Sequence, residues 1–194
     1  MPVLAEATSV IIRRKAIDEK FSNGWEGFQR IVPNSTLCFD EELVRVGFMS
    51  PQDVQVFVAK LQEQGLTFLE DNKAIDIAIV DQQRGLTTEC EWLMFIHLKI
   101  NESGDKVATC WLIPEERIPV AGIHMPTNWQ PGEKIKLATP PDWTYESSLS
   151  QKFRFVENEN VNKEIIFGGN EGGIDVYLDL KIGKKLFEGR TSKE

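Results

Sequence analysis

The segment 50–65 does most to limit what this chain can become. Ser50 stands where its hydroxyl would cap the amide of Asp53, Pro51 takes the first helical position, and Asp53 sits where a capping-box acid belongs. Val54, Phe57, Val58 and Leu61 follow the spacing of one apolar helix face, and Gly65 supplies the C-terminal stop. Both flanks are strand-like. Residues 36–48 read as two short strands around Asp40, Glu41 and Glu42, an acidic triplet expected to form a solvated hairpin turn, and residues 66–69 read as another strand. A helix with an apolar stripe between strands must bury that stripe on a sheet, so the fold mixes helix and sheet.

The residues upstream extend the pattern. Residues 8–13 are β-branched and apolar and predict a strand. Residues 15–32 predict a helix, or two short helices broken at Asn23-Gly24, with Trp25, Phe28, Ile31 and Val32 on one face. The order is then strand, helix, strand, strand, helix, strand, as in a ferredoxin-like split βαβ unit.

Beyond residue 70 the chain is strand-rich. Ile75, Ile77 and Ile79 alternate up to Asp81. Residues 91–100 and 107–113 flank the turn 101–106 and predict a hairpin, whose first strand is apolar on both faces near Leu93 and Phe95 and is expected inside its sheet. Six of the nine prolines fall in 114–143, which predicts an irregular segment interrupted by a short strand at 134–138. Alternation at Phe153 and Phe155, a short run at 164–167 and a longer one-sided strand at 174–182 complete the set; 168–173 reads as a glycine-rich loop, and the tail after Arg190 as frayed. The expected fold is therefore α+β, mainly antiparallel, with two helices in the N-terminal third. Residues 1–194 are expected to form one domain, with a helix-containing part at 1–82 and a β-rich part at 83–194.

Composition narrows the function classes. The net charge is −8, and residues 66–130 hold 10 acidic against 5 basic side chains. Phosphate binding needs clustered Lys and Arg, so nucleic acid is not expected as a partner, whereas a basic protein is. Arg13, Arg14 and Lys15 are too few for a nucleic-acid patch and are expected to neutralise nearby carboxylates. The longest apolar run, 92–98, falls far short of the roughly 20 residues that span a bilayer, and the first residues carry no basic-then-apolar leader, so no membrane association and a cytoplasmic location are expected. Cys38, Cys90 and Cys110 are scattered and odd in number, which reads as reduced thiols rather than a disulfide framework.

Candidate chemistry is sparse. There are two histidines, His97 and His124, and no metal-ligand spacing, so neither a metal site nor a cofactor is expected. Glu89 and Glu91 flank Cys90 and read as a solvated pair. The 168–173 loop lacks the Lys-Ser/Thr and the following helix of a phosphate-binding loop. Symmetric closure of the 91–113 hairpin sets Ile100 against Val107 and therefore His97 directly opposite Cys110, a spacing that suits a thiolate–imidazolium pair; the plainer reading is a half-buried His beside a core Cys. Trp129, Trp143 and His124 in the proline-rich segment read either as residues capping the core or as the lining of a small-molecule pocket. The function expected is a non-catalytic protein-interaction domain, such as an acidic immunity-type protein that neutralises a basic toxin; the alternative is a small-molecule-binding domain or enzyme with its pocket at 114–143.

Overall fold

The computed structural model describes residues 1–100, 105–113 and 136–149, together with the strands at 165–171, 174–179 and 184–189. In chain order the elements are β1 (Val3–Ala5), β2 (Thr8–Arg13), α1 (Arg14–Lys20), α2 (Gly24–Ile31), β3 (Cys38–Phe39), β4 (Leu43–Phe48), α3 (Pro51–Glu63), β5 (Leu69–Glu70), β6 (Lys73–Ala74), β7 (Ile77–Asp81), β8 (Gly85–Leu86), β9 (Leu93–Lys99), β10 (Lys106–Leu112), a 3₁₀ turn (Tyr145–Ser147), β11 (Ile165–Glu171), β12 (Ile174–Asp179) and β13 (Lys184–Gly189). The fold is α+β with antiparallel sheets.

A five-stranded sheet in the order β3-β4-β2-β7-β8 forms the centre. Every pairing in it is antiparallel. Taken as β2, the helices α1 and α2, β3, β4, α3 and β7, this is the strand order of a split βαβ unit. The fourth strand is β7 rather than 66–69. Only Leu69 of that stretch enters a strand, while the carbonyls of Thr67 and Phe68 accept the amides of Asp76 and Ile75. β7 wins the place beside β2 because both of its faces are apolar: Ile77 faces the helices, and Ala78 and Val80 face the opposite layer.

The helices cover one face of this sheet. Val10 and Ile12 of β2 and Val44, Val46 and Phe48 of β4 pack on Ile17, Phe28, Val54, Phe57, Val58 and Leu61. The apolar stripe of α3 is buried as its spacing requires, with Pro51 in the first turn and Gly65 at φ +93 just beyond the end. Ser50 does not cap Asp53; its hydroxyl lies 2.8 Å from Gln52 Oε1 instead. The first helical stretch is two helices, with Gly24 at φ +50 starting the second. Arg14 pairs with Asp18 and its guanidinium lies 3.9 Å from the Trp25 ring centre, while Lys15 pairs with Glu19.

A three-stranded sheet in the order β1-β10-β9 covers the other face. Val3, Ala5, Ala108, Cys110 and Leu93 meet Ile11, Leu43, Cys38, Ala78 and Val80 in a second apolar layer. The sheet joins the first residues of the chain to the 91–113 hairpin. Among the described residues β10 is its central strand and β9 its edge, the reverse of the expectation for the hairpin's first strand: Met94, Phe95 and Ile96 are only half-buried, whereas every residue from Val107 to Trp111 is buried. β11, β12 and β13 form a separate antiparallel meander. Gly168 and Gly169 belong to β11 at a register shift rather than to a loop, which glycine permits by offering no side chain to the bulge. β13 was not anticipated. Phe153, Phe155, residues 180–183 and the tail after Arg190 lie outside the described residues.

One charged group sits between the sheets. β4 alternates, sending Leu43, Arg45 and Gly47 into the inter-sheet layer, and Arg45 is only 2% exposed there. Nε donates to Ser9 Oγ at 2.9 Å, one terminal nitrogen to the Glu6 carbonyl at 2.9 Å and the other to the Thr36 carbonyl at 3.1 Å. Gly47 makes the room, because a Cβ there would lie 2.7 Å from Arg45 Cζ. Opposite Gly47 the sheet edge is closed by side chains. Thr36 Oγ1 accepts the Gly47 amide at 2.7 Å, and Asn34 Nδ2 donates to the Gly47 carbonyl at 2.9 Å. Thr36→Val removes the acceptor while keeping the shape, so it is expected to lower the unfolding free energy by about 1–2 kcal/mol in urea titration.

Candidate functional site

The inferred His97–Cys110 pair does not form. β9 and β10 pair so that Lys99 faces Lys106, His97 faces Ala108 and Cys110 faces Phe95. The ladder runs one bond further than symmetric closure assumed, since the Ile100 amide donates to the Asp105 carbonyl at 2.9 Å. A shift of two residues keeps every side chain on its face and moves each partner along by one pleat. His97 ends exposed, with Nε2 3.1 Å from the Gln82 carbonyl and its ring edge-on to Phe95.

Cys110 is fully buried in the inter-sheet layer, and burial pushes its thiol far up from the ordinary range. Cys38, opposite Arg45 across β3 and β4, is pushed up to about 11 by burial, against the opposing pull of the guanidinium. Cys90 packs partly against the same layer and is raised for the same reason. Cys38 and Cys110, far apart in sequence, thus converge near one buried cation, yet in a setting that holds them as neutral thiols, the wrong form for a nucleophile. Burial also pulls Arg45 down from its usual value, which the acceptors on Ser9, Glu6 and Thr36 oppose by holding the charged form.

Of the proline-rich candidates, Trp129 and His124 lie outside the described residues. Trp143 is half-buried, and its indole Nε1 donates to Glu6 Oε1 at 3.2 Å. The same oxygen accepts from Ser148 Oγ and, at 3.0 Å, from the Leu149 amide. The expected strand at 134–138 is reduced, in its described part, to one parallel bridge between Ala138 and Val3. Trp111 presents a different feature: its Nε1 is buried and has no hydrogen-bond partner among the described residues.

The accessible feature is a small acidic platform. β5 and β6 form a hairpin whose turn residues Asp71 and Asn72 have φ +50 and +64, the left-handed geometry of a two-residue turn that Asp and Asn tolerate. The hairpin is fastened from below: the Ala74 amide donates to the Glu89 carbonyl at 2.8 Å, and Trp92 Nε1 donates to the Ala74 carbonyl at 2.9 Å. Leu69 is 40% exposed on it, and Glu70, Asp71, Glu89 and Glu91 are exposed with it. Lys73 bridges Glu89 and Glu91. The hydrogen bond from Lys73 lowers the Glu91 carboxyl and raises the Lys73 ammonium in return. Asp40, expected as part of a solvated triplet, is instead buried, and its Oδ1 accepts the amides of Glu42 and Leu43, leaving Glu41 and Glu42 exposed.

The thiols carry a pH signature. A thiol whose folded-state pKa is raised stabilises the fold below the unfolded value of about 8.5, and that contribution is lost as pH rises through the folded value. Unfolding free energy is therefore expected to fall between about pH 9 and 11, each buried thiol contributing a slope of up to ~1.4 kcal/mol per pH unit. Cys110→Ala should be less stable at pH 7 yet flatter against pH, as urea titrations at pH 7, 9 and 10 would reveal. Comparison with models of protein families, with curated proteins and with solved structures finds no match to this chain.

Proposed function

We propose that this chain is a non-catalytic interaction domain that engages a basic protein through the platform around the β5–β6 hairpin. The observation that carries this reading is the exposed Leu69 set among Glu70, Asp71, Glu89 and Glu91, with Lys73 already occupied by two of those carboxylates. An apolar anchor ringed by one sign of charge suits a partner of opposite charge, which is steered in by the field and held by burial of the anchor. The platform is fixed by backbone bonds before any partner arrives, so little order is lost on docking. Supporting the same reading, Cys38, Cys110 and Arg45 are buried between the sheets, and His97 lies opposite Ala108 rather than either buried thiol. A cytoplasmic immunity-type protein that occupies the cationic face of a toxin is the concrete form of the proposal. No helix among the described residues is long and apolar enough to cross a membrane.

A second reading, a small-molecule site beside the proline-rich segment, is favoured by the buried Trp111 Nε1, unpartnered among the described residues and a donor suited to a ligand carbonyl. Quenching or enhancement of tryptophan fluorescence in a metabolite screen, abolished in Trp111→Phe, would support it over the first.

The interaction reading is tested by capture from host lysate with wild-type protein and with a variant carrying Glu70→Gln, Asp71→Asn, Glu89→Gln and Glu91→Gln. Wild type is expected to retain basic proteins at low salt and release them at high salt, and the variant to retain at least ~10-fold less. Equal retention of the same proteins by both would contradict it.

A further inference from the structure

The segment 136–149 touches the rest of the molecule at separated points. At its start the Leu4 amide donates to the Ala138 carbonyl and the Ala138 amide donates to the Pro2 carbonyl, both at 2.9 Å, so Ala138 sits as a one-residue parallel neighbour on the outer edge of β1. The chain then turns at Pro140, Pro141 and Asp142, the last at φ +58. It closes a short turn of its own, in which Thr144 Oγ1 accepts the Ser147 amide and Ser147 Oγ donates back to the Thr144 carbonyl. The Tyr145 phenol is hydrogen-bonded to Asp105. Trp143, Ser148 and Leu149 then place three neutral donors on one oxygen, Glu6 Oε1.

The body's half of this contact is rigid. The Glu6 carbonyl accepts from Arg45, and the next residue, Ala7, is held at φ +51 by reciprocal bonds to Gln82, its amide on Oε1 at 2.8 Å and its carbonyl on the Gln82 amide at 2.9 Å. Glu6 itself is 7% exposed. The segment thus carries its own internal turn, lies on a fixed surface, and concentrates its strongest attachment on a single carboxylate, an acceptor whose bonds are about twice as strong as neutral ones.

We propose that residues 136–149 are a latched strap that opens as one unit, with Glu6 as the latch. Opening frees the outer edge of β1, where the Leu4 amide and the Pro2 carbonyl become available to another extended chain. The strap is therefore an intramolecular occupant of a sheet edge, of the kind that protects such edges from pairing with other polypeptides. Local opening of this sort leaves the main sheet intact.

Hydrogen exchange read by mass spectrometry or NMR on the intact chain tests this. In Glu6→Ala the amides of Leu4, Ala138 and Leu149 are expected to exchange about 100-fold faster, and together, with β2, β4 and β7 unchanged. Glu6→Gln, which keeps an acceptor without the charge, should fall between. If Glu6→Ala fails to fold, Trp143→Phe and Ser148→Ala each remove one donor and should accelerate the same amides about 10-fold. Unchanged exchange in the strap, acceleration spread equally over β2, β4 and β7, or acceleration at Leu149 without Leu4 and Ala138 would each overturn the proposal.

Discussion

A guanidinium buried between two sheets organises this molecule. The hydrogen bonds of Arg45 end on a hydroxyl and two backbone carbonyls, supplied by Ser9, Glu6 and Thr36. A buried charge is tolerated only when its donors are satisfied, because desolvation costs several kcal/mol. The three acceptors come from the β1–β2 corner, from β2 and from the stretch before β3, so satisfying one cation fixes the relative positions of three chain segments. Apolar packing alone would let the two sheets slide; directional bonds to a rigid planar group do not.

The same corner links the interior to the surface. Glu6 gives its carbonyl to Arg45 and its carboxylate to Trp143, Ser148 and Leu149. Ala7 accepts a left-handed backbone because Gln82 satisfies both its amide and its carbonyl. Gln82 also carries the carbonyl that meets His97. A short run of residues thereby ties the central sheet, the second sheet and the segment 136–149 together. Among the polar groups that looked most like chemistry, Cys38 and Cys110 are enclosed as small apolar groups beside the cation, and the His97 ring packs edge-on to Phe95.

What was legible in the residues was whatever depends on local periodicity. The stripe Val54, Phe57, Val58 and Leu61, the break at Asn23-Gly24, the β-branched run 8–13, the alternation of Ile77 and Ile79 and the existence of the 91–113 hairpin all follow from spacing and turn residues, as does the element order of the split βαβ unit up to its second helix; its fourth strand, expected at 66–69, is β7. Hairpin register was not legible, since it depends on whether Ile100 and Asp105 join the ladder, and moving that closure changed the partner of Cys110 from His97 to Phe95. Ser50 was misread because a nearby Gln52 side chain competes for its hydroxyl. Arg45 and Glu6 were missed because their roles come from long-range partners. A signal was present all the same: an arginine at an inward position of an apolar alternation, followed two residues later by a glycine on the same face, is costly unless the glycine makes room for the guanidinium. The edge position of β9 was hidden because half-buried and buried apolar residues look alike in a sequence.

The role of Arg45 rests most directly on its pairing with Gly47. Glycine inside a strand is ordinarily worse than alanine by roughly 0.5–1 kcal/mol. If Gly47 exists to seat Arg45, Gly47→Ala should lower the unfolding free energy by at least about 2 kcal/mol in the otherwise native chain and become neutral or stabilising when Arg45→Ala is already present. A urea-unfolding double-mutant cycle over these two positions measures this directly. A coupling of at least about 2 kcal/mol is the predicted result. Equal effects of Gly47→Ala in the two backgrounds would show that the buried guanidinium does not dictate the geometry around it.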